Sequence, residues 1–295
     1  MHGLSTLRRG VKEEMRYTKI ILESIKLFKK NPYLLVPNFM LLGVTILLSL
    51  LFLYFNGSLF ASLNNPSVLF EGQNSLVDIL NSLNVHNNFL KLILTFIGFI
   101  LANFFIGAGL STARYGMIKD LVNGEKTSLK KGFKFSAKNC LKVVELKVVV
   151  YLLMALLAFI FNFIFSRFVS YSDNFLFLVL FFSGLAYLIV NLVLLFRFPV
   201  MFLNDKRALP TLKKSFLYFK NKKRVVFLVW LIVLLATLLF EIILLPVNRY
   251  LFLFFNPVLG VILATLMFYL IRNLVLFVVQ TWSDIYLFLL YAKEK

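Results

Sequence analysis

Residues 128–166 read SLKKGFKFSAKNCLKVVELKVVVYLLMALLAFIFNFIFS. The second part, 143–166, is an almost unbroken run of Val, Leu, Ala, Ile and Phe. A helix needs about 20 mostly apolar residues to cross roughly 30 Å of hydrocarbon, and this run is long enough. The first part carries Lys130, Lys134, Lys138 and Lys142 at four-residue intervals, which puts them in one stripe of a helix. Leu129, Phe133, Ala137, Cys140, Leu141 and Val144 repeat at three and four residues and predict an apolar face beside that stripe. The stretch therefore reads as a basic amphipathic helix at a membrane surface that feeds a membrane span.

Five more runs qualify as spans: 34–55, 89–112, 175–200, 225–246 and 257–281. Each must be helical, because hydrocarbon offers no partner for free backbone N–H and C=O groups. A lipid-facing barrel would alternate apolar and polar residues, and these runs do not. Composition agrees: 60% of the 295 residues are hydrophobic and only 15% are charged, with mean hydropathy +0.87. That places the chain outside the range of soluble domains, which are roughly 45–50% apolar and about 25% charged. The expected fold is all-α, one integral membrane domain over 1–295 with six transmembrane helices in three hairpins. Residues 1–33 are polar and basic, so no cleavable signal peptide is expected.

Charge sets the orientation. Basic residues crowd the segment before the first span and the links after the second and fourth spans. The link 56–88 has no Lys or Arg, and 167–174 and 247–256 have one each, Arg167 and Arg249. By the positive-inside rule both termini are cytoplasmic and the basic helices lie on the cytoplasmic face of the cell membrane. Within 56–88, the segment SLVDILNSL puts Leu76, Ile79, Leu80 and Leu83 on one side and predicts a short outer surface helix.

The basic links resemble each other. DLVNGEKTSLKKGFKFSAKN follows Arg114, and NDKRALPTLKKSFLYFKN follows Arg197. Each contains an acidic residue, then Ser or Thr, then Leu-Lys-Lys-x-Phe, and ends just before a new span. ESIKLFKKNPYLLVP ahead of the first span is a fainter copy. Three repeat units are expected, roughly 18–112, 128–200 and 211–281, in parallel rather than inverted order. Ser128 and Thr211 are the expected helix N-caps.

Six spans, KKNP before the first, and the segment G-x-K-x-S-L-K-K-G-F…K-N together resemble a family. It is a broad group of uncharacterised prokaryotic six-helix membrane proteins that includes the membrane domain fused to some glycerophosphodiester phosphodiesterases, and the YciC-like proteins. The resemblance spans about residues 18–290. It implies a six-helix membrane fold with basic inner helices, and it implies no activity. The sequence holds no segment long enough for the soluble phosphodiesterase domain, so the resemblance does not carry that reaction.

The formal charge is +19, from 32 Lys and Arg against 13 Asp and Glu. The basic clusters sit beside apolar runs, so anionic lipid headgroups rather than nucleic acid are the expected partners. The candidate headgroup or anion contacts are Lys130, Lys134, Lys138, Lys142, Lys213, Lys214, Lys220, Arg114, Arg197 and Arg272. The alternative is that the basic helices pack on one another with their lysines solvated. The three arginines lie near the inner ends of spans, where they would snorkel to phosphates or converge on one anion site. Glu241 is an acidic residue set well within an apolar run, whereas Glu145 stands at the edge of one, and Glu241 is the candidate intramembrane ion site. Helical rise from Val225 and from Pro257 puts Glu241 near the outer face and Arg272 deeper, so Glu241 is expected to pair with Arg249 or Arg167 instead. Asn103, Asn162, Asn191 and Asn273 are expected to hydrogen-bond between helices, and Gly107, Ala108, Gly109 and Ala113 to form a close-packing face. With one cysteine, Cys140, and two distant histidines, His2 and His86, neither a metal site nor a cofactor is expected. No nucleophile lies near a base in the sequence, so no enzyme is expected. The expected role is a non-enzymatic scaffold or envelope-organising factor that binds anionic lipid. The alternative is a transporter or channel for a small ion or anionic solute.

Overall fold

A computed structural model describes residues 17–56, 85–166, 175–254 and 258–294. Almost all of them are helical, and none forms a strand. In chain order the elements are α1 (residues 17–30), a 3-10 turn Pro32–Leu35, α2 Val36–Phe55, α3 Val85–Val122, α4 Leu129–Ser166, α5 Phe175–Val193, α6 Arg197–Leu203, α7 Ala208–Asn221, α8 Lys223–Phe254 and α9 Val258–Glu294. Six helical segments are long and apolar enough to cross a membrane: 32–52, 90–122, 129–164, 179–203, 223–246 and 267–294. The chain is thus an all-α, multi-pass membrane protein. The surface helix expected within 56–88 falls outside the described residues.

Two compact units emerge. One comprises 37–110. In it, Thr45 donates to Asn103 Oδ1 at 3.0 Å and Asn56 Nδ2 donates to Thr95 at 3.1 Å. Phe52 meets the Phe99 ring at 5.8 Å. These polar bridges between otherwise apolar helices are what the asparagine at 103 was expected to supply.

The other unit comprises 1–36 and 111–295. In it α4 packs along α5 and α8 along α9, and the short helices α6 and α7 pack against α4, α5, α8 and α9. The span portions expose leucine and phenylalanine outward, as at Leu152, Phe159, Leu188 and Leu245. In water such a belt would be an aggregation surface; in a bilayer it is the lipid-facing surface. The core lies at the basic end. Ile285 to Tyr291 are buried without a break, and a helix apolar on all sides needs neighbours on all sides. Ile20 of α1, Leu34 of the turn, Met201 of α6 and Leu212 of α7 are buried with it. Trp282 Nε1 donates to Ser24 Oγ at 2.9 Å and ties α9 to α1.

Three expectations are corrected here. Residues 128–145 are not a separate surface helix: they are the first turns of α4, which runs unbroken for 38 residues, roughly 57 Å. Their buried face is Gly132, Ser136, Asn139, Val143, Leu146 and Val150, while Phe133 and Leu141 are exposed. The reason is steric. A Cβ at Gly132 would lie 2.8 Å from Met117 Cγ, and one at Gly116 would lie 2.5 Å from the Phe135 ring. Two glycines facing each other's helix let α3 and α4 approach closely, and small residues form the seam. Gly107, by contrast, has only Leu41 at an ordinary 3.5 Å. The caps divide: the Ser128 hydroxyl accepts from the Lys131 amide at 3.3 Å, but Thr211 lies inside α7, which begins at Ala208.

Candidate functional site at the basic end

The basic end is organised around one buried ion pair. Arg114 of α3 meets Asp284 of α9, Nη2 to Oδ2 2.7 Å, with side-chain exposures of 1% and 13%. A charged pair so buried persists only when both partners are held in place. Aromatic packing holds them. Tyr115 stacks on Phe198 at 4.4 Å and on Phe288 at 6.0 Å, linking α3, α6 and α9. The Arg114 guanidinium lies 5.3 Å from the Tyr115 ring, and that of Arg197 lies 5.2 Å from Phe198.

Arg197 joins the same cluster. It donates to Asn191 Oδ1 through Nη1 and Nη2, both at 3.2 Å, and to the Leu194 carbonyl at 3.3 Å. Leu194 to Phe196 interrupt the helix between α5 and α6, and the Leu194 carbonyl there accepts from both the backbone amide of Arg197, at 3.0 Å, and its guanidinium. Arg114 and Arg197 both act electrostatically on Asp284, and Lys147 of α4 lies within range of both arginines. Two arginines therefore share one carboxylate, with a third cation beside them.

Arg272 does not converge with the other two arginines. It lies twelve residues before Asp284 on α9, roughly 18 Å along the helix. It donates to Glu241 through Nε at 3.0 Å and Nη2 at 2.8 Å, with both side chains partly exposed. The direct pair that helical counting had excluded is therefore present. The counting ended the fifth span at Pro246, but α8 continues through it to Phe254. Glu241 is thirteen residues before the end of α8 and Arg272 fourteen after the start of α9, so the two sit level. The side chains of Arg167 and Arg249 lie outside the described residues.

The lysines divide into held and open groups. Lys142 pairs with Asp205 at 2.8 Å. That ammonium, first through its hydrogen bond and then through its charge, holds the Asp205 carboxyl below the usual carboxylate range. Lys214 donates to Asn204 Oδ1 at 3.1 Å. Lys130, Lys134, Lys138, Lys213 and Lys220 are exposed. On α7 the exposed side carries Leu209, Lys213, Phe216, Leu217 and Lys220, while Ala208, Thr211, Leu212 and Ser215 are buried. An open groove of about 330 Å³ runs beside it, lined by Leu153, Val190, Leu194, Leu212, Lys213 and Phe216.

Glu294 closes the far end of α9. Lys222 pairs with it, and the Tyr17 and Tyr218 hydroxyls donate to its two oxygens at 3.4 Å each. Burial, with the Glu294 charge second, pushes the Tyr218 phenol upward. Lys293 pairs with Glu23 of α1.

Of the expected interhelical asparagines in this unit, Asn162 donates to Ser183 Oγ at 3.3 Å. Asn191 holds Arg197, and Asn273 bonds within its own helix to the Tyr269 carbonyl. Sequence reasoning missed Asp284 because the sixth span was ended at residue 281. The signal was available: a run of apolar and aromatic residues follows Asp284 as far as Tyr291. Among the described residues, no group of three or more His, Cys, Asp or Glu could hold a metal ion.

The chain matches no family model, no curated protein and no solved structure.

Proposed function

We propose that this is a non-enzymatic protein of the cell membrane that binds anionic lipid at its cytoplasmic face and acts there as a scaffold or envelope-organising factor. In this reading the spans pair as three hairpins, both termini are cytoplasmic, and α7 lies at the inner interface. The observation that carries it is the exposed side of α7. Leu209, Phe216 and Leu217 alternate with Lys213 and Lys220, and Lys213 edges an apolar groove. Leucine and phenylalanine exposed between lysines suit acyl chains beside phosphates. Lys130, Lys134 and Lys138 add open positive charge on α4.

Transport is the weaker reading. It needs Glu241 and the three arginines along one path, whereas Arg114 and Arg197 share Asp284 and Arg272 is held by Glu241.

The test is native mass spectrometry of protein purified from mixed lipid, counting retained phosphatidylglycerol against phosphatidylethanolamine. Reversing Lys130, Lys134, Lys138 and Lys213 to Glu is expected to abolish the enrichment of the anionic lipid. Unchanged enrichment would overturn the proposal.

A further inference from the structure

The geometry points to a binding site for a phosphate dianion, carried on a phosphomonoester group, in the cavity at the joint between α7 and α8. The cavity holds about 640 Å³, and Tyr17, Lys220, Lys222, Lys223, Arg224 and Glu294 are among its lining residues. The joint itself concentrates the charge. Lys222 leaves helical geometry, with φ −127° and ψ 42°, and α8 begins at the next residue. Four cations are thereby brought to one corner of the fold.

Among the described residues only one acidic residue lines the cavity, and it is already engaged. Glu294 is held by Lys222 and by two tyrosine hydroxyls. Lys220, Lys223 and Arg224 make no ion pair and no side-chain hydrogen bond with the described residues, so three positive charges face one space unanswered. Those positions would repel one another, and a dianion offsets that repulsion better than a monoanion does. An arginine fork and two ammonium groups match the oxygens of a terminal phosphate. The first-turn amides of α8, at Lys223 and Arg224, have no acceptor within their own helix, and a long helix favours negative charge at this end. The buried Glu294 cluster also gives the site a rigid floor, because Lys222 is fixed from below rather than free to fold over the cavity.

This site deepens the proposed lipid binding and rests on it for the source of the phosphate: α8 enters its apolar run immediately after Arg224, where headgroups of the inner leaflet would lie. The same chemistry could come from a soluble phosphate compound. Binding is measured on purified full-length protein in neutral detergent, with dioctanoyl phosphatidate, dioctanoyl phosphatidylglycerol and inorganic pyrophosphate as probes. The K223Q/R224Q variant is compared with K29Q/K30Q, which loses the same charge from exposed positions at the other end of α1, and the unfolding midpoint of each is recorded. Phosphatidate is expected to bind wild type about tenfold more tightly than phosphatidylglycerol, and K223Q/R224Q to lose at least about tenfold for phosphatidate while K29Q/K30Q keeps it. If pyrophosphate displaces phosphatidate the natural occupant is soluble, and if it does not the occupant is a headgroup; both results support the site. Equal phosphatidate affinity in wild type and K223Q/R224Q would overturn it, as would equal losses in the two variants. Either result leaves the enrichment test on Lys130, Lys134, Lys138 and Lys213 standing, so the two ideas fail separately.

Discussion

Removing Asp284 should damage the fold more than removing Arg114, although the two form one pair. The structure gives the reason. Two unit charges about 4 Å apart attract by about 4 kcal/mol at an effective dielectric near 20, but burying both ions costs several kcal/mol each. The intact pair is therefore worth little against an apolar replacement, whereas breaking it costs about 3–5 kcal/mol, because one charge is left buried alone. Here the partners are not equivalent. Without Asp284, the cations Arg114, Arg197 and Lys147 face one another with no carboxylate. Without Arg114, Asp284 keeps Arg197 within range.

Asp284→Asn is thus expected to cost about 3–5 kcal/mol, and Arg114→Gln about 1–3 kcal/mol, the value of lost hydrogen bonds to a charged group. The double variant should cost less than the sum of the two, because the second change removes part of the repulsion released by the first. The assay is reversible unfolding in mixed micelles followed by tryptophan fluorescence, since Trp282 is two residues from Asp284 and stacks on Tyr286 at 6.0 Å. If Arg114→Gln cost as much as Asp284→Asn, and the double variant were additive, the cation excess would not govern this site and the reasoning would fail.

Three further outcomes follow from particular contacts. Gly132→Ala should destabilise by about 1–3 kcal/mol through overpacking against Met117 and the Ala113 carbonyl. Gly184→Ala, with nothing within 4 Å of its added methyl, should be neutral or stabilise by up to about 1 kcal/mol in the same unfolding assay. Reversing Glu241 or Arg272 singly should lower the folded yield, and the E241R/R272E swap should restore it. A coupling energy in that cycle no greater than the ~0.2–1 kcal/mol of a water-exposed pair would show that the pair is not surrounded by hydrocarbon. Asp205 has its carboxyl lowered by Lys142, so its contribution is present above the ordinary aspartate value of 3.8 and disappears as pH falls through the lower folded value. Because Asp205 has φ +48°, which asparagine tolerates, Asp205→Asn removes only the charge; its unfolding midpoint should lie below wild type at pH 6 and coincide with it near pH 2.

Run length made the membrane fold legible, because the requirement for about 20 apolar residues is a property of the bilayer and not of tertiary packing. Packing decided what was not legible. On α4 the apolar residues Phe133 and Leu141 suggested the buried face, yet Gly132, Ser136 and Asn139 form it, because close approach to α3 selects small size over hydrophobicity. Asp284 was hidden by the habit of ending a span where the hydrocarbon ends, whereas α9 continues as one helix into the basic core. The Glu241–Arg272 pair was hidden by a proline read as a terminus. Arg114 and Arg197 were legible as important because each is a lone cation at the edge of an apolar run. Their shared carboxylate lies 170 residues after Arg114 and no local spacing joins them.

The paired acidic residues are placed mainly against one helix, and most of the positive charge remains open. Among the described residues, five ion pairs join parts of the chain distant in sequence: Arg114 to Asp284, Lys142 to Asp205, Lys222 to Glu294, Arg272 to Glu241 and Lys293 to Glu23. Four of them fasten α9, three to another helix and one to the joint between α7 and α8, so these acids serve to fix α9 in register. Lys130, Lys134 and Lys138 of α4 and Lys213 and Lys220 of α7 make no ion pair among the described residues. Even one-to-one pairing of all 13 acids would leave a charge of +19. At millimolar salt such a surface attracts counter-ions from solution; beside a bilayer the densest source of fixed negative charge is the leaflet itself. The cation surplus is set by composition, 32 Lys and Arg against 13 Asp and Glu, and the anions that balance it must come from outside the chain.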